Sequence, residues 1–315
     1  MSPTVDVILP TRNRPDFTIE AIQSVRDQTF TDWHLFVVDD ASEDETAERI
    51  ERFCRDEPRI SLVRREQNGG SAAARQTGLV LGTAPYVASI DSDDLWYPEK
   101  LERQIARWEA SCHTTNDLGV VVCRHEYVDV RTQRQSRVLP PPRWSRRWTP
   151  FVIYNTSTPL MSRVALERVG GFRAIGSPRL HTTDHIDLFV RLLECSRLAM
   201  TPEVLVQCRH HDGARNSDGQ GGSAAATEAA RVFEQHRERL AARPRERAWL
   251  QAWVAGRHLE AGEIDAGLSG LGAAMRRWRL ATGARMAAHY GPFAVRSVIR
   301  RHSATRRVAD EARAP

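Results

Sequence analysis

The first hundred residues alternate short apolar runs with helical patterns, and this alternation limits the possible folds more than any other feature. Four apolar runs predict strands, at 5–10, 35–38, 60–65 and 86–90. Apolar residues spaced three or four apart predict a helix in each interval between them. Strands that alternate with helices favour a mostly parallel sheet with helices on its faces, so the sequence predicts an α/β protein.

Local signals indicate where these helices begin. Pro15 and Asp16 suit the first turn of the first helix. Ser42 is followed three residues later by Glu45, a capping-box pattern that predicts the start of the second helix at this point. The third helix is predicted over 71–82.

Polar clusters follow three of the predicted strands. They lie at 11–13 (Thr-Arg-Asn), 39–40 (Asp-Asp) and 91–94 (Asp-Ser-Asp-Asp). In sheets of this kind ligands bind at the carboxyl ends of the strands. Because three separate strand ends carry such clusters, the sequence predicts a binding site at that edge.

The aspartates of the third cluster allow two interpretations. They can form a solvated polar turn. They can also hold Mg²⁺ or Mn²⁺, since carboxylates packed this closely repel one another unless a cation lies among them. Such a cation would bridge to the phosphates of a substrate and neutralise a diphosphate leaving group.

Asp39 and Asp40 also allow two interpretations, a strand-to-helix turn or hydrogen bonding to a nucleobase or ribose. No GxGxxG motif follows the first strand, which counts against a dinucleotide oxidoreductase. No GxxxxGK[ST] motif is present, which counts against a P-loop NTPase.

Composition and charge describe the rest of the chain. The five cysteines show no CxxC spacing, which argues against a disulfide framework or a zinc site and favours a cytoplasmic protein. We expect no signal peptide and no transmembrane helix. Residues 216–223 predict a flexible linker between a domain at 1–215 and a helical region at 224–315.

The helical region carries 17 arginines against nine acidic residues. This excess can be a solvated face, or it can bring the protein to an anionic membrane as a peripheral contact. Nucleic acid is not expected as a partner, since no stacking platform or recognition motif accompanies the arginines.

Several segments together resemble glycosyltransferase family 2, of the bacterial type. They are "VILPTRNRPDFTIEAIQSVRDQTFTDWHLFVVDDASEDET", "NGGSAAARQTGLVLGTAPYVASIDSDD", "TPLMSRVALERVGGF", "TTDHIDLFVRL" and "CRHHDGARNS". The resemblance is dense over about residues 4–101 and sparser beyond them. It implies the GT-A fold, a Rossmann-like and mostly parallel sheet with helices on both faces, here followed by the helical C-terminal region.

The resemblance also implies roles for individual residues. Asp93 matches the direct metal ligand, Asp91 lies nearer the ribose or sugar, and His211 matches a histidine that approaches the metal or the diphosphate in some relatives. The residues implied to bind the nucleotide-sugar are Pro10, Thr11, Arg12, Asp39, Asp40, Arg75, Asp91 and Ser92. Arg209 can face phosphate, and Trp144 and Trp148 can cover the site or pack.

The resemblance indicates the general base less directly than it indicates the metal ligand and the nucleotide-sugar residues. Relatives usually carry Glu-Asp, one further residue and then Asp-Leu, whereas this chain has Asp184-His185-Ile186-Asp187-Leu188. An ungapped alignment places His185 at the catalytic position, and a shift of one residue places Asp184 there. Either side chain can accept a proton near neutral pH. Asp187 is expected to begin and cap a helix.

The implied activity is inverting transfer of a sugar from a nucleotide-diphosphate sugar, with UDP as the expected nucleotide, to an acceptor hydroxyl. The acceptor can be a glycan, a glycolipid, a metabolite or a peptide. Because the Glu-Asp motif is altered, a nucleotide-sugar-binding or scaffold protein without turnover stays as an alternative. A nucleotidyltransferase is a third possibility, disfavoured because the usual Gly-rich phosphate loop is absent.

Overall fold

The computed structural model describes residues 3–112, 117–139, 155–173, 184–210, 223–241 and 244–276. The chain divides into two compact units, Met1–Gly213 and Ala214–Pro315. Of the predicted linker, only Ser223 is among the described residues, as the first residue of a helix. The predicted domain boundaries stay a prediction.

The first unit contains one mixed sheet. Its strands in the described residues are β1 Val5–Thr11, β2 Trp33–Asp39, β3 Ile60–Arg64, β4 Tyr86–Ser89, β5 Asp94–Trp96, β6 Leu118–Asp129, β7 Gln135–Leu139, β8 Leu160–Ser162 and β9 Arg197–His210. The strand order is β3-β2-β1-β4-β8-β6-β9-β5, and β7 pairs with β6. The first four strands pair in parallel, as do β6 and β9, whereas β5, β7 and β8 pair antiparallel to their neighbours.

Helices connect these strands. In the first unit they are α1 Pro15–Arg26, α2 Thr46–Cys54, α3 Gly70–Leu81, α4 Lys100–Cys112, α5 Arg163–Arg168 and α6 Asp184–Cys195. The second unit contains α7 Ser223–Gln235, α8 Pro244–Glu260 and α9 Ile264–Arg276. None of the helices in the described residues combines the length and the apolar content that crossing a bilayer requires.

Strand β1 shows how the sheet separates two cores. Val5, Val7 and Leu9 pack with residues of α1, α2 and α4, and Ile8 packs on the other face with residues of α3, α5 and α6. Successive side chains of a strand point to opposite faces, so the consecutive apolar residues Val7, Ile8 and Leu9 require helices on both sides. The predicted α/β sheet is therefore confirmed.

Two predicted helix starts are wrong. Helix α2 begins at Thr46 with Glu45 as its N-cap residue, and no side-chain hydrogen bond caps it. Ser42 does not cap this helix because its hydroxyl instead donates to Asp39. Helix α6 begins at Asp184, so Asp187 lies inside the helix, where it forms a buried ion pair with Arg191 at 2.5 Å.

Candidate active site

The predicted polar clusters lie at one edge of the sheet because β2, β1 and β4 are neighbouring parallel strands. Thr11 at the end of β1 is the register partner of Asp39 at the end of β2. The Asp40 N–H donates to the Thr11 carbonyl at 2.9 Å, which continues the pairing past both strands. The structure therefore brings the first two clusters into contact.

Residues 10–13 form the first loop of the site. Pro10 and Thr11 end β1 and are buried, and the Thr11 hydroxyl lies 2.6 Å from that of Thr18. Arg12 extends to the surface, where its guanidinium pairs with Glu43 at 2.8 Å. The Asn13 N–H donates to the Ser42 hydroxyl at 2.9 Å. These contacts join the first loop to the residues that follow β2.

Asp39 and Asp40 are both buried, and each carboxylate accepts hydrogen bonds from the protein. Asp39 accepts from the backbone N–H of Ser42 at 3.2 Å. Asp40 accepts from the backbone N–H groups of Gly69 at 3.0 Å and Gly70 at 2.6 Å, at the start of α3. A helix start presents such unpaired N–H groups and favours a negative charge. Asp40 therefore anchors α3, and the nucleotide contacts expected of both aspartates stay a prediction.

Asp91 is held from two directions. One carboxylate oxygen pairs with the guanidinium of Arg75, which is 4% exposed and also donates to the Ser89 hydroxyl at 2.9 Å. The other oxygen accepts from the Thr156 hydroxyl at 2.5 Å. Arg75 therefore lies beside the aspartate cluster, as expected. Its most direct contact among the described residues is Asp91.

Asp94 is buried and joins the aspartate cluster to a distant loop. Its carboxylate accepts from the Ser157 hydroxyl at 2.6 Å and from the Asn155 side chain at 2.8 Å. Ser157 in turn accepts from the Asp91 N–H at 2.9 Å, next to the buried Ser92. Burial raises the pKa of Asp94 well above its usual value, and the negative charges of its neighbours add to the effect.

Asp93, like Asp91, has a partly exposed carboxylate. Its side chain is 20% exposed, against 30% for Asp91, and it pairs with the Arg14 guanidinium at 2.9 Å. Its backbone carbonyl accepts from Arg209 Nε at 2.7 Å. The Arg209 guanidinium also lies 4.7 Å from the centre of the Phe17 ring. Arg209 thus positions the main chain at Asp93.

The aspartates fit a divalent cation that also binds substrate phosphate. Among the residues that the structure describes, no three His, Cys, Asp or Glu side chains gather as a complete metal site. Mg²⁺ seldom needs such a cage, because it binds through one or two carboxylates, waters and substrate phosphates. Asp93 and Asp91 supply that donor set, and their charges add to the effect of burial in raising the pKa of Asp94. His211 lies outside the described residues.

The start of α6 contributes to a cavity beside Asp91. The cavity has a volume of about 10 Å³, and His185 lines it together with Arg75 and Thr156. Asp184 is the first residue of the helix. The structure thus brings one of the two candidate bases to the aspartate cluster, and the choice between Asp184 and His185 stays open.

The sequence analysis missed the loop at 155–158, which holds Asp91 and Asp94. The loop is fastened at its end because Gln104 Nε2 donates to the Thr158 carbonyl at 2.8 Å. The available signal was the polar run Asn-Thr-Ser-Thr directly before an apolar strand. Trp144 and Trp148 lie outside the described residues.

Comparison with known sequences matches the part of the chain that contains the aspartate cluster at 91–94. The family model "Glycosyl transferase family 2" matches residues 6–170, just over half of the chain. The UDP-Glc:alpha-D-GlcNAc-diphosphoundecaprenol beta-1,3-glucosyltransferase WfgD of Escherichia coli is 38% identical over 102 residues, 32% of this chain and 40% of that enzyme. The alignments to WfgD and to two other curated relatives span less than half of those proteins' lengths.

Comparison with solved structures confirms the GT-A fold. The mannosyltransferase PcManGT of Pyrobaculum calidifontis, in complex with GDP-Man and Mn²⁺, superposes with a TM-score of 0.62 and 21% identity, over 98% of this chain and 88% of that one. Residues 1–349 of TarS from S. aureus, in complex with UDP-GlcNAc, give a TM-score of 0.64 and 17% identity, over 94% and 89% of the two chains.

Proposed function

The chain belongs to glycosyl transferase family 2, and we propose that it transfers a sugar from a nucleotide-diphosphate sugar to an acceptor hydroxyl with inversion at the anomeric carbon. One observation carries this proposal. Asp91 and Asp93 follow β4 at the carboxyl edge of the sheet, and Arg75 and Thr156, which hold Asp91, line a cavity together with His185. A donor site and a candidate base are therefore adjacent.

The donor would bind across the ends of β1, β2 and β4. Arg12 and the residues after β2 lie where a nucleotide meets such an edge, and Asp91 lies nearer the sugar. UDP is the nucleotide we favour, because WfgD is named for UDP-Glc and the TarS structure contains UDP-GlcNAc. PcManGT bound GDP-Man, so GDP belongs in the same screen.

Asp93 is the residue we assign to a divalent cation, Mn²⁺ or Mg²⁺. When bound, the cation would offset negative charge on the leaving nucleotide diphosphate. The PcManGT complex contains Mn²⁺, which supports this choice of ion. The Arg14 guanidinium pairs with Asp93 at 2.9 Å and holds the carboxylate in the site.

The first turn of α6 would supply the base. Asp184 or His185 would accept the proton of the acceptor hydroxyl, and the oxygen would attack the anomeric carbon from the face opposite the diphosphate as the bond from that carbon to the diphosphate oxygen breaks and the nucleotide diphosphate leaves. Holding donor and acceptor in line lowers the barrier, because their relative orientation is already set by binding. Inversion follows from a single displacement of this kind.

A protein that binds nucleotide-sugar without turnover is the second candidate. The observation that favours it is His185, which replaces a carboxylate in the ungapped alignment of the base motif. Product analysis separates the possibilities. Transferred sugar supports the glycosyltransferase, binding without product supports the second candidate, and pyrophosphate exchange would indicate a nucleotidyltransferase.

The acceptor and the location of the protein are proposals of the same kind. We expect a hydroxyl on a glycan, glycolipid, metabolite or peptide, and a cytoplasmic protein. Peripheral contact with an anionic membrane through the basic C-terminal region stays a prediction, and residues 277–315 of that region lie outside the described residues.

The test is a thermal-shift and hydrolysis screen of UDP-, GDP- and dTDP-sugars with Mn²⁺, Mg²⁺ or EDTA. A donor at 100 times its Kd should stabilise the fold by about 2.7 kcal/mol. Asp93→Asn keeps the shape of the side chain and removes its charge, so it should abolish the cation-dependent shift. Asp16→Asn is the control, since Asp16 is 75% exposed and pairs with Arg49 at the surface. If no nucleotide-sugar binds under any condition, the proposal fails.

A further inference from the structure

The cavity beside Asp91 lies where the sugar of a bound donor would be. Two of its lining residues, Arg75 and Thr156, hold opposite oxygens of the Asp91 carboxylate. His185, in the first turn of α6, lines the same cavity. A sugar in contact with Asp91 would therefore lie next to this cavity, and the candidate base His185 lines the same cavity.

Most of the wall of this cavity is hydrocarbon. Met161, Phe172, Leu188 and Phe189 line it, and each is no more than 9% exposed. Its polar lining residues include Arg75, Thr156 and Arg173, and these already make hydrogen bonds within the protein: Arg75 and Thr156 with Asp91, and Arg173 with the Val169 carbonyl at 3.0 Å. A sugar hydroxyl placed against this wall would lose hydrogen bonds to water, which is unfavourable. Removing a methyl group from water there would lower the free energy.

The wall at Phe172 is firmly held. The Phe172 N–H donates to Gln76 Oε1 at 2.8 Å, and the preceding carbonyl of Gly171 accepts from Arg191 at 2.9 Å. Gly171 has φ +66°, and a side chain there would collide with Gln76, so the turn requires glycine. A cavity with a fixed wall can discriminate by shape, because it does not close around a smaller group.

The cavity is also small. Its volume of about 10 Å³ leaves room for about one group the size of a water molecule or a methyl, so it suits one small substituent of a donor sugar and not a whole nucleotide-sugar. We propose that it receives a methyl group carried by the donor sugar, either the methyl of an acetamido group or that of a 6-deoxysugar. The protein then selects such sugars over the equivalent sugar with a hydroxyl group. This inference rests on the proposed function.

A matched series of donors tests the inference. The series is built on the nucleotide that the thermal-shift screen selects, and for UDP it consists of UDP-glucose, UDP-N-acetylglucosamine and UDP-6-deoxyglucose. Their Kd values are measured by competition at one concentration of the same cation. One of the two methyl-bearing donors should bind at least about tenfold more tightly than UDP-glucose. The donor that does so identifies which methyl group the cavity accepts.

Two variants of α6 separate the cavity from general stability. Leu188→Ala enlarges the cavity and should remove most of the discrimination, because the methyl group then lacks close contact. Leu192→Ala removes the same atoms one turn later, from a residue that is equally buried but does not line the cavity, and should leave the discrimination unchanged. Thermal melts show whether both variants are folded.

The outcomes distinguish this inference from the function on which it rests. Equal or tighter binding of UDP-glucose in the wild-type protein overturns the inference and leaves the glycosyltransferase proposal intact. An equal loss of discrimination in both leucine variants overturns the assignment to this cavity. Failure of every nucleotide-sugar to bind overturns the proposed function itself.

Discussion

Lys100 is the single lysine of the chain, and its ammonium group is fully buried at the start of α4. Nζ donates to Gln104 Oε1 at 2.7 Å and lies 3.9 Å from the centre of the Trp96 ring. Burial lowers the pKa of Lys100 from 10.5 to about 8, because the charged form is poorly solvated there. Gln104 also fastens the 155–158 loop, so this lysine supports the candidate site.

The lowered pKa predicts how stability depends on pH. Between pH 8 and 10.5 the unfolded chain keeps a proton that the folded protein releases, so raising the pH favours the folded state. Each pKa unit corresponds to about 1.4 kcal/mol, which gives about 3 kcal/mol for this group. From pH 7 to pH 11 the wild-type protein should gain that much in free energy of unfolding relative to Lys100→Met, which cannot titrate.

Chemical denaturation at a series of pH values measures both proteins. Cys123 is the neighbouring titratable group, with a pKa that burial raises to about 11 and that the Lys100 charge lowers, so both proteins are compared in a Cys123→Ala background to isolate Lys100. Lysine labelled with ¹³C and ¹⁵N gives one side-chain resonance in this chain, which reports the pKa directly. Parallel stability curves, or a lysine resonance that titrates near 10.5, would refute the reasoning.

Two further predictions concern the candidate site. Asp187→Asn removes the carboxylate that pairs with the buried Arg191 guanidinium and should lower the free energy of unfolding by about 3–5 kcal/mol, measured by denaturation, while Asp187→Leu combined with Arg191→Met should restore most of it. Thr156→Val removes the hydrogen bond to Asp91 and should weaken donor binding about tenfold in titration calorimetry, with little change in melting temperature. Thr77→Val, whose hydroxyl bonds within its own helix, should bind the donor normally, and equal loss in both threonine variants would contradict a role for Thr156.

The order of elements in the first hundred residues could be predicted because it depends on local pattern. Val7 to Leu9 are consecutive apolar residues, and such a run is buried on both faces of a sheet. The polar residues that follow each run could be placed at the carboxyl edge for the same reason. The helix starts at α2 and α6 were predicted wrongly, because Ser42 and Asp187 bond elsewhere in the folded chain.

The different roles of the aspartates could not be predicted from their spacing. Asp91, Asp93 and Asp94 look equivalent in the sequence, yet Asp94 is buried against the 155–158 loop, more than 60 residues away along the chain. Asp40 similarly anchors a helix start that lies about 30 residues later. Contacts between residues this far apart depend on strand order and packing, and neither is encoded in a local pattern.

The sequence by itself determined the fold class and the edge of the sheet at which chemistry would occur, because periodicity and the residues after each strand are local properties. Only the tertiary structure decided that Asp91 and Asp93 stay partly exposed while Asp94 is buried, which partners hold each carboxylate, and what lines the cavity beside Asp91. Those outcomes depend on burial and on partners from distant segments, and the free energy of a charged group is set by its surroundings in space.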